Sequence, residues 1–263
     1  MSEHRFSRME LLVGQEGLRG LGQASVAVFG VGGVGSYAAE ALSRAGIGRL
    51  TLVDFDDICL TNVNRQIHAL DGTIGRSKVE VMAERCRAIN PGADVIPLQE
   101  FYSAETSDAL LAEPFDYVLD CIDHMTAKLH LIETCLRKPI RLVSSMGAAN
   151  KLDPTQVKLS DLADTQKCRL ARIIRKELRK RGIERGVKVV YSTEEFRPLS
   201  DQAAICAEDC ICPNKQDQKW RCTDRRVILG SSSYIPPIFG LTMAGEVIRE
   251  LVGDAPSPPP SPT

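Results

Sequence analysis

Short apolar runs at 26–29, 50–53, 94–98, 116–121 and 140–144 alternate with helix-like segments at 34–45, 77–89, 104–112 and 126–137. That alternation predicts βαβ units and a parallel sheet. Pro91-Gly92 ends one helix and Glu113-Pro114 another, and Ser103 or Ser107 is placed to cap the helix at 104–112. In the second half, Leu170, Ile173, Ile174 and Leu178 recur at helical spacing up to Gly182, which predicts an amphipathic helix with one buried face. No internal repeat is evident. The tail from Pro256 to Pro262 cannot pack a core, and 253–263 is expected to be disordered.

Composition narrows the classes. The chain has 263 residues, 43% hydrophobic and 25% charged, enough to bury a full core as one large domain. No apolar run approaches bilayer length, and Met1-Ser2-Glu3-His4-Arg5 lacks a signal-peptide core, so a cytoplasmic protein with no membrane partner is expected. Nine cysteines, an odd number, fit reduced thiols better than a disulfide framework.

The first candidate chemistry lies at the end of the first apolar run. Val26-Ala27-Val28-Phe29 leads into Gly30-x-Gly32-Gly33-x-Gly35, which reads as strand, tight turn and helix start. Small residues let backbone amides approach phosphate, and the following helix adds its positive N-terminal end. Asp54 follows Gly35 by 19 residues and closes the apolar run 50–53, where a carboxylate accepts from ribose hydroxyls. The expected fold class is therefore α/β: a Rossmann-like, mainly parallel sheet with flanking helices, extended by a mixed C-terminal half.

NAD and ATP share such a cradle, and the residues after it favour ATP. Asp54, Asp56 and Asp57 form an acidic group, and Asn62, Arg65 and Lys78 then supply polar and cationic groups. A triphosphate needs such cations and a carboxylate-held metal for in-line nucleotide transfer. Asp123, after Tyr117-Val118-Leu119, is the metal candidate at the carboxyl end of a strand. This pattern reads as an ATP-using adenylating site. His68, His124, Ser144, Ser145 and Gly147 also fall near it and admit packing or turn roles.

Two features mark the second half. Between Arg169 and Lys188 stand nine basic residues, among them Arg172, Arg175, Arg179 and Arg181, against Glu177 and Glu184. The whole chain has a net charge of −1, so any affinity for a phosphate backbone must come from this patch; a solvated helix face is the alternative. Cys206, Cys210, Cys212 and Cys222 form a loose cluster that could hold zinc, relay sulfur or stay as free thiols.

Several motifs occur together in order: Arg5-Phe6-Ser7-Arg8, the glycine turn, Asp54-Phe55-Asp56, Asn62-x-Asn64-Arg65-Gln66, Gly75-x-x-Lys78 and Asp120-Cys121-Ile122-Asp123. They resemble the ubiquitin-activating-like adenylating enzymes, which include the molybdopterin and thiamine adenylyltransferases. The resemblance implies that Gly30, Gly32, Gly33, Gly35, Asp54 and Asp56 hold ATP. It gives the phosphates to Asn62, Arg65 and Lys78, and Mg2+ to Asp123. It also implies that Arg8 reaches the ATP of a second subunit, making a homodimer. Relatives that activate sulfur carriers hold zinc between two CxxC pairs; this chain has none, so zinc is not expected.

Lys151-Leu152-Asp153-Pro154-Thr155, Arg179-Lys180-Arg181-Gly182-Ile183, Val190-Tyr191-Ser192-Thr193-Glu194-Glu195 and Gly230-Ser231-Ser232-Ser233-Tyr234-Ile235-Pro236-Pro237 resemble the tRNA threonylcarbamoyladenosine dehydratases. That likeness covers about 5–252, read as one adenylating domain over 1–252 with a nucleotide-binding half to 150 and a substrate half from 151. It implies ATP-dependent cyclisation of the threonylcarbamoyl group on an anticodon-loop adenosine, through an acyl adenylate. The tRNA contacts would be Arg172, Arg175, Arg179 and Arg181. It further implies a monovalent cation, Na+ or K+, near the site, and a sulfur-mobilising cysteine desulfurase system as a partner. Activation of a ubiquitin-like sulfur carrier is the alternative; a scaffold role and an NAD-dependent oxidoreductase rank below it.

Overall fold

The computed structural model describes residues 3–197 and 229–253. Seven strands form one sheet in the order β3-β2-β1-β4-β5-β7-β6 among these residues. They are β1 (Ser25–Phe29), β2 (Arg49–Val53), β3 (Asp94–Leu98), β4 (Tyr117–Asp120), β5 (Leu142–Ser145), β6 (Val157–Asp161) and β7 (Lys188–Ser192). All pairs are parallel except β6 on β7, so the fold is Rossmann-like α/β with a mixed C-terminal edge.

Each strand near the centre is apolar on both sides because helices cover both faces. Val26 and Val28 of β1 join one core with Leu42, Met82, Phe239 and Met243. Ala27 and Phe29 join the other with Val118, Leu131, Ala171 and Ile174. The first face carries α1 (Ser7–Gln23), α2 (Gly35–Ala45), α3 (Lys78–Ile89) and α7 (Ile235–Leu251); the second carries α5 (Met125–Arg137) and α6 (Arg169–Arg179).

The chain leaves β1 toward β2 and β3, then returns to β4 on the other flank of β1. Between the carboxyl ends of β1 and β4 lies the point where the direction reverses, the usual crevice for ligands in open α/β sheets.

Three expectations change. The helix over 104–112 contracts to α4 (Ser107–Leu110), and its N-cap is Thr106, whose side chain caps nothing. Thr106 Oγ1 instead accepts from the Ser103 amide at 2.9 Å and donates to Phe101 O at 2.8 Å, folding the approach into a separate turn. β5 begins at Leu142 rather than at 140 and runs through Ser145. α1 and α7 were not foreseen as helices. α1 is broken at Gly14, with φ 74°, and α7 starts with Pro236 and Pro237 in its first turn, where missing amides cost nothing. The expected disordered tail lies, from 254 onward, outside the described residues. No helix among the described residues is long and apolar enough to cross a membrane.

Candidate active site

Gly30 ends β1 with φ 88°, and a Cβ there would stand 2.7 Å from the Cys121 carbonyl oxygen. Only glycine satisfies both the turn and this approach of β4. Its amide donates to Val53 O at 2.7 Å, tying the turn to the end of β2. A Cβ on Gly35 would overlap the Gly30 carbonyl, so α2 starts directly behind the turn. At Gly32 the nearest atom to an added Cβ is Gln66 Nε2 at 3.8 Å, leaving open space for a ligand's approach. The amides of Gly32, Gly33 and Val34 have no backbone acceptor among the described residues. They stand at the positive end of α2, as an anion site requires.

Asp54 is buried at the end of β2, with Oδ2 accepting from the Val31 amide at 2.6 Å and Oδ1 from the Asp56 amide at 2.9 Å. The carboxylate expected to hold ribose therefore also braces the glycine turn. Lys78, the first residue of α3, lies buried with Nζ 2.6 Å from Asp56 Oδ2 and 3.9 Å from Asp54 Oδ1. Burial disfavours the ammonium charge, but Asp54, Asp56 and the more distant Asp123 outweigh it, and its pKa lies above the ordinary lysine value. Burial likewise lifts the Asp54 carboxyl, against the pull of Lys78.

Asn62 closes a 3-10 turn, Leu60–Asn62, with Oδ1 accepting from the Cys59 amide at 3.0 Å; its amide NH2 faces no described acceptor. Arg65 donates through Nη1 to Thr61 O and Asn64 Oδ1, both at 2.8 Å. An added Cβ on Gly33 would lie 3.2 Å from Arg65 Cγ and 3.1 Å from Pro236 Cβ, so both residues wall the turn. Asp123 is exposed in the β4–α5 turn. The structure thus brings Gly30 to Gly35, Asp54, Asp56, Asn62, Arg65, Lys78 and Asp123 to one crevice. No group of three or more metal-ligating side chains occurs among the described residues. One carboxylate beside phosphates is how Mg2+ is commonly held, so Asp123 suits that ion.

His68 is packed inside, 2% exposed, and neither ring nitrogen has a partner among the described residues. Burial, then the charges of Lys78 and Arg85, lower its pKa to about 3, so it is neutral.

The basic helix divides its cations. Arg172 and Arg179 of α6 are exposed. Arg175 turns back onto the protein, donating to Leu162 O at 3.1 Å, Thr165 O at 2.9 Å and Thr165 Oγ1 at 2.6 Å. Arg181, past the helix end, pairs with Glu133 at 2.7 Å. Two of the four arginines expected at the nucleic acid are therefore engaged by the protein's own acceptors. Arg8 is exposed on α1 and has no hydrogen bond or ion pair among the described residues. Its neighbours Arg5 and Phe6 meet Ile89 O, at 2.7 Å, and Gly46 respectively, at the carboxyl ends of α3 and α2 and so away from the crevice at their starts. The cluster Cys206, Cys210, Cys212 and Cys222 lies outside the described residues.

Sequence reasoning marked the run 230–240 without placing it. The Asn64 side-chain amide donates to Ser231 O at 2.9 Å and Tyr234 Oη to Leu152 O at 2.7 Å, so the run ties the 62–66 turn to the loop at Leu152. No periodicity signals such tethers, because each depends on one side chain meeting a distant carbonyl.

A model of the ThiF family matches residues 6–262. The tRNA threonylcarbamoyladenosine dehydratase of Bacillus subtilis (strain 168) is 43% identical over 251 residues, spanning 95% of this chain and 96% of that protein. Solved structures of the E. coli tRNA N6-threonylcarbamoyladenosine dehydratase TcdA share 35% identity over 95% of this chain and 94% of theirs. The complex with AMP gives a TM-score of 0.81 and the complex with ATP 0.79. Matched over 95% of its length, the chain belongs to the ThiF family, within its group of tRNA threonylcarbamoyladenosine dehydratases.

Proposed function

We propose that the protein catalyses the ATP-dependent dehydration of N6-threonylcarbamoyladenosine in the tRNA anticodon loop to its cyclic form. The observation that carries this reading is the full-length match to dehydratases, together with a buried Lys78 held between Asp54 and Asp56 beside the glycine turn. Sulfur-carrier activation would use the same crevice, but the likeness to dehydratases also spans the second half.

The threonyl carboxylate attacks the α-phosphorus of ATP and pyrophosphate leaves. The carbamoyl group of the modification then displaces AMP to close the ring, and water is lost overall. The attacking group is already tethered, so its effective concentration is high and no enzyme nucleophile is required. The amides of Gly32, Gly33 and Val34 donate to phosphate oxygens, while Lys78, Arg65 and the Asn62 amide offset the charge that builds on the departing pyrophosphate. Asp54 orients the ribose, and Asp123 would hold Mg2+, which would supply further charge neutralisation on the phosphates.

The protein works as a homodimer in this reading, with Arg8 of one copy completing the crevice of the other. Leu11 and Leu12 on the same helix are 68% and 80% exposed, an apolar pair suited to a second copy. Mass spectrometry of nucleosides, after mild digestion of threonylcarbamoyladenosine-bearing tRNA incubated with the protein, ATP and Mg2+, tests the activity. A product lighter by one water, dependent on ATP, is expected. An unchanged nucleoside with folded, ATP-binding protein would overturn it.

A further inference from the structure

Beneath the β4–α5 turn lies an ion pair that the reaction as described does not use. Lys128, in the first turn of α5, and Asp120, the last residue of β4, are 1% and 0% exposed. Lys128 Nζ stands 2.7 Å from Asp120 Oδ2, and the Ser144 hydroxyl of β5 donates to the same oxygen at 2.6 Å. Lys128 also donates to Ser144 Oγ at 3.2 Å and to Asp120 O at 3.5 Å. The second carboxylate oxygen, Oδ1, accepts from the Ile122 amide at 3.1 Å.

A buried ion pair gives little net stability, since removing two charges from water costs about what their attraction returns. Its value here is geometric. Asp120 holds the entry of the 121–124 turn through Ile122, and Ser144 fixes that carboxylate from the neighbouring strand. His124 Nδ1 accepts from the Ala127 amide at 3.3 Å and fixes the exit. Gly30 lies against the Cys121 carbonyl on the flank. Asp123 is the exposed residue carried by this pinned turn.

We propose that Lys128, Asp120 and Ser144 form a buried positioning unit that sets Asp123 for the metal bound with the nucleotide, although none of the three touches either. This rests on the assignment of Asp123 to Mg2+.

The test compares ATP affinity with saturating Mg2+ and in EDTA by calorimetry. Lys128→Met alone leaves Asp120 buried and unpaired and invites misfolding. The decisive variant is therefore the paired Asp120→Leu/Lys128→Met, with fold checked by circular dichroism and Lys128→Arg as the conservative control. In the paired variant the Mg2+-dependent gain in affinity should fall about tenfold or more, while EDTA affinity stays within about twofold and Lys128→Arg keeps most of the gain. If the paired variant keeps the full gain while Asp123→Ala loses it, the positioning role is overturned. If Asp123→Ala itself keeps the gain, the metal assignment beneath the proposal fails instead. Should the paired variant not fold, Ser144→Ala, which deletes one hydrogen bond to Asp120, carries the same comparison with the same two overturning results.

Discussion

At Lys78, burial and two carboxylates act in opposite directions on one ammonium, and the carboxylates prevail. Removing that cation therefore does two things. Lys78→Met should lower the adenylation rate by about 10²–10³-fold, the usual loss for a transition-state charge partner. It should also depress the melting temperature, because Asp54 is left buried without its counter-charge. Asp123→Ala separates the two effects: its side chain is exposed, so turnover should be lost with melting unchanged. A Lys78→Met protein that melts like wild type would contradict the buried pairing. His68 gives a pH signature. Its pKa falls from 6.5 to about 3 on folding, so the unfolded chain binds a proton that the folded one refuses. Stability is full above about pH 6.5 and drains as pH falls toward 3, by up to ~1.4 kcal/mol per pH unit. Urea titrations at pH 7 and pH 5 should show a smaller difference for His68→Leu than for wild type.

Helix α6 is where charge read from sequence and charge available in space part company. The periodicity of Leu170, Ile173, Ile174 and Leu178 was legible, although Ile173 is 44% exposed rather than on the buried face, and so was the basic content. Which arginines remain for phosphate depended on the turn at Leu162–Asp164, where the Leu162 carbonyl helps capture Arg175. Neutralising Arg172, Lys176 and Arg179 to Gln should weaken tRNA binding and lower its salt slope by about 0.9 for each phosphate no longer neutralised. Arg175→Gln should instead destabilise the fold with little change in salt slope. Filter binding across a salt series, beside thermal melts, distinguishes them; equal slopes in all variants would return α6 to a solvated face. The glycine turn, α2 and Asp54 were legible because strand, turn and acid lie close along the chain. α7 was not, since Pro236-Pro237 reads as a break unless its place in a first turn is known.

For the whole molecule, the separation of Arg8 from its own crevice sets the strongest test. Arg8→Ala and Asp123→Ala should each be inactive alone. Mixed and allowed to exchange subunits, half of the dimers pair the two variants, and one site of each such dimer is intact. Activity should return to roughly a quarter of wild type. No recovery, with subunit exchange shown by labelled protomers, would place Arg8 in its own site or outside the reaction. The sheet that joins both halves was only partly foreseen: β1 to β5 follow from alternation, whereas the parallel placement of β7 on β5 and the antiparallel β6 depend on long-range pairing.

The last described helix also has a bearing on synthesis. Gly240 lets α7 lie so close to α2 that a Cβ there would overlap the Val34 carbonyl, and Pro236 walls Gly33. The fingerprint emerges from the ribosome before its wall, which is not made until some 200 residues later. A nascent chain stalled before Ile235 therefore carries the glycine motif without a finished cradle, and nucleotide retention on such stalled chains reports how late in translation the site is completed.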